Sequence, residues 1–213
     1  MNKSARKIEW LVFGSLALVI AGITLAYALS QAEKLRDRQV SLPLLYPVVD
    51  FTLTNQHGRA VSLHDLRGEI WIADIIFTRC AGPCPKMTKR MSELQRALPA
   101  NSTVKLVTLT TDPEFDKPEV LKRYGESFGA NFDRWIFLTG GKKQIAHLAR
   151  DGLKLIAEET NPAERTSDND LFIHSTLFVI VDKQGRLRGT FDYDDPKMTE
   201  KAVRAVRKLL RER

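Results

Sequence analysis

The 213-residue sequence is poor in cysteine and histidine, with two cysteines and four histidines. Two cysteines cannot form the disulfide framework that small secreted domains need, and 43% hydrophobic residues provide an ordinary core without one. The sequence also lacks internal repeats and low-complexity segments, which argues against solenoid and disordered classes. Any thiol or imidazole site must therefore be built from very few residues.

Charge is absent from residues 10–29, which are rich in Leu, Val, Ile and Ala. A run of this length can cross a bilayer as a helix. The basic residues before it are typical of an exported protein whose N-terminal segment stays in the cytoplasm. We therefore predict a cytoplasmic N-terminus (1–9), a transmembrane anchor (10–29), a stalk (30–45) and one folded domain (46–213). A signal peptide cleaved near residue 28 is the alternative.

The formal net charge of +7 is concentrated at the two ends of the chain. Residues 1–29 carry +2 and residues 197–213 carry +5, so the region between them is neutral. A neutral exported body argues against a nucleic-acid partner. We expect a single-pass protein of the bacterial inner membrane, with its soluble domain facing the periplasm or cell exterior. The mitochondrial inner membrane, facing the intermembrane space, is the alternative.

Both cysteines lie in the stretch FTRCAGPCPKM at residues 77–87. An apolar, strand-like run leads into it, and Pro85 followed by apolar residues at helical spacing predicts a helix with Cys84 at its N-cap. A helix N-terminus lowers a thiol pKa and favours the thiolate. Because a disulfide here would close only a very small ring, a structural bridge would stabilise the fold little. We expect redox chemistry, metal binding or both.

Strands and helices alternate along the predicted domain, which indicates an α/β fold with helices on both faces of a sheet. A strand leading into a cysteine pair at a helix N-terminus, together with a closing hairpin and helix, indicates a thioredoxin-like fold with a central mixed sheet. The predicted strands are 48–53, 60–63, 70–77, 104–109, 135–138, 175–182 and 187–191, and the helices include 118–128, 143–158 and a basic C-terminal helix after residue 196.

His174 precedes the predicted strand 175–182, in a stretch that a thioredoxin-like fold brings beside the cysteines. Cys80, Cys84 and His174 are therefore a candidate set of metal ligands. Soft sulfur favours copper(I), and two cysteines with one histidine can also hold copper(II) when an oxygen ligand is added. Structural zinc usually has four protein ligands, and no fourth is evident. The Cys-x3-Cys spacing is one residue longer than the common dithiol spacing, which suits two thiolates binding one ion.

The other three histidines match no motif. We interpret His57, His64 and His147 as surface or capping residues, Asp112 as a turn residue, and Met87 and Met91 as core residues.

Three motifs resemble the Sco/SenC family of copper-binding proteins. They are the stretch 77–85, TDPE at 111–114 followed by KPEVL at 117–121, and His174-Ser175 before the strand 177–182. The resemblance extends over about residues 47–209. It implies a membrane-anchored thioredoxin-like domain that binds copper through Cys80, Cys84 and His174. It also implies a role in assembling the binuclear copper centre of a cytochrome oxidase, by copper delivery, by reduction of the acceptor's cysteines, or both.

Two departures from the family pattern are visible: Ile173 occupies a position that is often aspartate, and Ala81-Gly82 replace more polar residues. We expect a metallochaperone rather than an enzyme, with the copper-centre subunit and a copper donor or thiol reductant as partners. The alternative is a thiol–disulfide reductase acting on exported proteins, including the oxidase copper site. Cys80 would then attack and Cys84 would resolve the mixed disulfide.

Overall fold

The protein is described here by a computed structural model, which covers residues 3–39, 42–99, 103–155, 157–159 and 172–212. The chain divides into two compact units, residues 1–41 and 42–213. The first unit contains the helix α1 (Lys3–Gln39). Its segment Phe13–Gln31 is long and apolar enough to cross a membrane, a criterion that a signal sequence also meets. The predicted anchor at 10–29 overlaps this segment.

An eight-stranded mixed sheet forms the centre of the second unit. Its strands are β1 (Tyr46–Pro47), β2 (Thr52–Asn55), β3 (Ala60–Ser62), β4 (Ile70–Ile76), β5 (Val104–Thr110), β6 (Trp135–Thr139), β9 (Leu177–Val181) and β10 (Arg186–Asp192), in the order β1-β10-β9-β4-β5-β6-β2-β3. Strands β4, β5 and β6 are parallel, whereas β9 runs antiparallel to β4. The short strands β7 (Ala157–Glu159) and β8 (Phe172–His174) pair separately.

Helices cover both faces of the sheet, as predicted. They are α2 (Leu63–Leu66), α3 (Cys84–Ala97), α4 (Pro118–Ser127), α5 (Lys142–His147) and α6 (Met198–Arg211), and a π-helical turn (Leu148–Gly152) extends α5. Every residue of β4 is buried. Successive strand residues point to opposite faces, so Ile72 packs with the core that contains α3 and α6, and Ala73 packs with the core that contains α5. Burial on both faces explains the continuous apolar run of this strand.

Two predicted elements differ from the structure. The helix predicted at 143–158 ends early, because the Leu153 N–H donates to the Leu148 carbonyl and Lys154 takes a positive φ of 57°. Residues 157–159 are a strand instead. The strand predicted at 48–53 corresponds to β2, which begins at Thr52, since the Val48 N–H donates instead to the Gly185 carbonyl of the hairpin β9–β10.

Candidate metal-binding thiol site

Residues 77–83 connect the carboxyl end of β4 to α3 and carry Cys80. The Cys80 N–H donates to the Phe77 carbonyl at 3.2 Å, and the Gly82 N–H donates to Cys80 Sγ at 3.4 Å. Helix α3 begins at Cys84, with Pro83 as its N-cap. The predicted cap position is therefore wrong by one residue, because Pro83 already has helical dihedrals and its carbonyl accepts the Met87 N–H.

The two thiols lie together and are buried. Both cysteines carry thiols that are not joined in a disulfide, with Cys80 5% exposed and Cys84 fully buried. A hydrogen bond with the Cys80 side chain and the burial of the group raise the pKa of the Cys84 thiol, against the opposing effect of a hydrogen bond from the Phe77 backbone. The lowered pKa that we expected from the helix terminus is therefore wrong for Cys84. This thiol keeps its proton until a cation displaces it.

His174 is the last residue of β8 and stands three residues before β9. Strand β9 pairs with β4 so that Val179 is opposite Ala73. Continuing this antiparallel register sets residue 175 opposite residue 77, at the sheet edge from which the cysteine loop departs. The side chain of His174 and residues 160–171 lie outside the described part of the structure, so histidine ligation stays a prediction. Among the described side chains, no cluster of three potential metal ligands is present.

The SCO1/SenC family model matches residues 47–211. The chain belongs to the SCO1/SenC family. The SCO1 protein homolog of Bacillus subtilis is 36% identical over 185 residues, which cover 83% of this chain and 93% of that protein. A Stutzerimonas stutzeri protein named as a copper-binding protein is 32% identical over 151 residues, 70% of each chain.

A solved Sco structure supports the same assignment. It is BsSco, described as a member of the Sco family of cytochrome c oxidase assembly proteins in which a disulfide switch was identified. It superposes with a TM-score of 0.69 at 33% identity, covering 82% of this chain and 99% of that chain. The predicted thioredoxin-like fold is thereby confirmed.

The other histidines and the methionines behave in this SCO1/SenC domain as predicted. His57 contacts the Phe132 ring edge-on at 5.3 Å, and His147 Nδ1 lies 2.7 Å from an Asp151 carboxylate oxygen. The His64 carbonyl accepts the N–H that caps α2. The two methionines on α3, Met87 and Met91, are fully buried in the core.

Asp112 has a larger role than the predicted turn residue. Its carboxylate forms an ion pair with Arg79 Nη2 at 2.5 Å, one residue before Cys80. The Arg79 guanidinium also stacks over the Phe115 ring at 4.3 Å. The loop after β5 is therefore held against the cysteine loop by charge and by an aromatic contact.

Two buried acids near the thiols were missed from the sequence. Asp74 lies in the middle of β4, where its Oδ1 accepts a hydrogen bond from the Thr108 hydroxyl at 2.7 Å, and its charge contributes to the raised pKa of Cys84. Asp116 is fully buried in the loop after β5 and bonds to Thr78 of the cysteine loop. An acid inside a continuous apolar strand was the available signal for Asp74.

Proposed function

We propose that this protein is a membrane-anchored copper chaperone that supports assembly of the binuclear copper centre of cytochrome c oxidase. The observation that carries the proposal is the pair of buried, reduced thiols of Cys80 and Cys84, which are hydrogen-bonded to each other at the start of α3. Two adjacent soft sulfur ligands favour copper(I). Copper is the cargo of this site, and His174 is its third ligand.

The relatives support the choice of copper and of the oxidase. The Stutzerimonas stutzeri relative is named for copper binding, and BsSco is described as belonging to a family of oxidase assembly proteins. The buried sulfur pair fits such a cargo, because thiolates bind copper(I) well in a site that excludes water.

Loading of the site requires loss of protons. The pKa of Cys84 is raised, so copper must displace its proton, and binding weakens as the pH falls. His174 must be neutral to bind. It belongs to β8, a different element from the turn and helix that carry the two thiols. The imidazole can therefore leave the metal while both sulfurs hold it, which produces an intermediate open to an acceptor.

The long apolar segment supports an acceptor on the far side of a membrane from the cytoplasm. We infer that Phe13–Gln31 remains as an anchor and that the soluble domain faces the periplasm or cell exterior. The copper-centre subunit of an oxidase is the acceptor in this scheme. A copper donor and a thiol reductant supply the cargo and keep the cysteines reduced.

A copper titration of the reduced full-length chain in detergent, under anaerobic conditions and against a competing chelator, tests the proposal. We expect a single tightly bound copper ion per chain. Cys84→Ser should abolish binding of both oxidation states, and His174→Ala should weaken copper(II) binding strongly and copper(I) binding less. His147→Ala is the matched control and should change neither. No copper retained by the wild type would refute the chaperone function.

A thiol–disulfide reductase is the second candidate, favoured by the direct contact between the two thiols. The reduced pair would pass two electrons and two protons to a substrate disulfide and become a disulfide itself. This function needs both cysteines and no imidazole. In a strain that lacks the wild-type gene, oxidase assembly restored by His174→Ala but not by Cys80→Ser or Cys84→Ser would favour it over copper transfer.

A further inference from the structure

Asp116 has an unusual position for a carboxylate, fully buried beside the thiol site. Its oxygens accept three hydrogen bonds: the Thr78 N–H donates to Oδ2 at 3.1 Å, the Thr78 hydroxyl donates to Oδ1, and the Thr110 hydroxyl donates to Oδ2 at 2.5 Å. Burial raises the pKa of Asp116, while these donors oppose the rise. Three hydrogen-bond donors therefore converge on this one buried carboxylate and hold it in place.

The carboxylate joins two loops that are far apart in sequence. Thr78 follows β4 and precedes Cys80, whereas Asp116 follows β5. Asp116 is itself held rigidly, because its N–H donates to the Asp112 carbonyl at 2.8 Å and the Asp112 N–H donates to the Thr110 hydroxyl at 2.9 Å. The loop after β5 therefore provides a fixed point to which the cysteine loop is attached.

The residues around Thr78 contact both cysteines. The Phe77 carbonyl accepts the Cys80 N–H at 3.2 Å, and the Phe77 backbone also forms a hydrogen bond with the Cys84 thiol. A change in the backbone at Thr78 would move the groups that orient both sulfurs. A restraint on Thr78 therefore also fixes the position of the two thiols relative to each other.

We propose that Asp116 is a positioning residue of the thiol site, whose buried carboxylate fixes Thr78 and thereby holds Cys80 and Cys84 in their metal-binding arrangement. Asp116 acts through the backbone and does not touch the cargo. The inference deepens the proposed copper function and rests on it for its effect on metal affinity, but the restraint on the thiols can be measured without copper.

Thr78→Val and Thr110→Val form a matched pair for the test. Each removes one hydroxyl that donates to the same carboxylate, and only Thr78 belongs to the cysteine loop. In the full-length chain in detergent, Thr78→Val should weaken copper(I) binding by about tenfold, the lower end for loss of an outer-shell partner. Alkylation of the two reduced thiols by iodoacetamide should become about tenfold faster, as expected for loss of one hydrogen bond to a charged group. Thr110→Val also removes the acceptor of the Asp112 N–H, so it loosens the fixed point, but it leaves both hydrogen bonds from Thr78 in place. It should therefore change both quantities clearly less than Thr78→Val.

Asp116→Asn removes one acceptor and should change both quantities at least as much as Thr78→Val. If this variant does not fold, the threonine pair still decides the matter. Equal changes in Thr78→Val and Thr110→Val would overturn the inference, because the carboxylate would then act only through overall stability, which urea unfolding of both variants reports. Unchanged alkylation rates in Thr78→Val would also overturn it. If the wild type retains no copper, the proposed function fails, whereas the alkylation rates still test the restraint.

Discussion

Removal of the Arg188 guanidinium should destabilise the domain strongly. Arg188 and Asp182 are 4% and 3% exposed, and Arg188 Nη1 lies 2.9 Å from Asp182 Oδ2. Arg188 also donates to the carbonyls of Leu42 and Pro43 and forms an ion pair with Glu212 at 2.7 Å. Arg188→Met keeps much of the side-chain volume and leaves Asp182 without its most buried partner.

Breaking a buried ion pair by removing one partner costs about 3–5 kcal/mol. Asp182 keeps an Arg186 ion pair at 2.8 Å and a hydrogen bond from the Gln184 N–H at 3.0 Å, so we expect the lower end of this range. With a urea m-value of about 2 kcal/mol/M, a loss of about 3 kcal/mol moves the unfolding midpoint down by about 1.5 M. Fluorescence of the buried Trp71 and Trp135 provides the signal.

The pH dependence checks the same argument independently. Burial raises the pKa of Asp182, but hydrogen bonds from Arg186 and Arg188 outweigh this effect and hold the pKa below its ordinary value. Such a carboxyl contributes stability above its unfolded pKa of about 3.9 and loses that contribution as the pH falls through the folded pKa. As the pH falls from about 5 to about 2, Arg188→Met should therefore lose less stability than the wild type, because its Asp182 gains less from being ionised.

The reasoning would be refuted by a small effect. A loss below about 1 kcal/mol for Arg188→Met is the value of an exposed ion pair and would mean that burial does not strengthen this contact. Arg188→Lys is the matched control, because it keeps the positive charge but lacks the planar guanidinium group that donates to several acceptors at once. We expect it to fall between the wild type and Arg188→Met.

Two further predictions concern packing. Gly125→Ala would place a Cβ 2.8 Å from Phe137 Cε2, and this overpacking should lower the free energy of unfolding in urea by about 1–3 kcal/mol. Gly189→Ala is the control, because its nearest contact would be an ordinary 3.7 Å, and it should cost clearly less. Equal costs for the two variants would contradict the argument. Met87→Leu replaces a fully buried side chain by one of similar volume, so it should lower the free energy of unfolding by less than about 1.5 kcal/mol. It should also leave the copper stoichiometry unchanged in the chelator titration, and loss of copper would instead make Met87 a ligand.

Local patterns predicted most of the elements around the site. The apolar run before Cys80 forms β4, and the predicted closing hairpin is β9–β10, in which Gly185 takes a positive φ of 76°. These signals lie within a few residues of the structure that they determine, so a single sequence reveals them.

The features that sequence reasoning missed depend on distant partners. Asp116 bonds to Thr78, which is 38 residues away, and no local pattern marks such a pair. The helix predicted beyond residue 152 failed for a similar reason. A Cβ at Gly152 would lie 3.0 Å from Val49 Cγ2, so the backbone here packs closely against Val49 and requires glycine. The spacing of apolar residues favours a continuing helix and does not reveal this contact. His174 remains a prediction from both sequence and family.

The attachment of Leu42 and Pro43 to Arg188 has a mechanical consequence. The chain enters the domain at this point, and the Leu45 N–H continues the attachment by donating to the Leu187 carbonyl at 2.9 Å. Tension applied to the chain at Leu42 is therefore carried first by the edge strand β1 and by its neighbour β10. Strand β9 still separates these strands from β4, which leads to the thiols. A pull on the chain at Leu42 is therefore taken up at the opposite side of β9 from β4, and the spacing of the two sulfurs stays undisturbed.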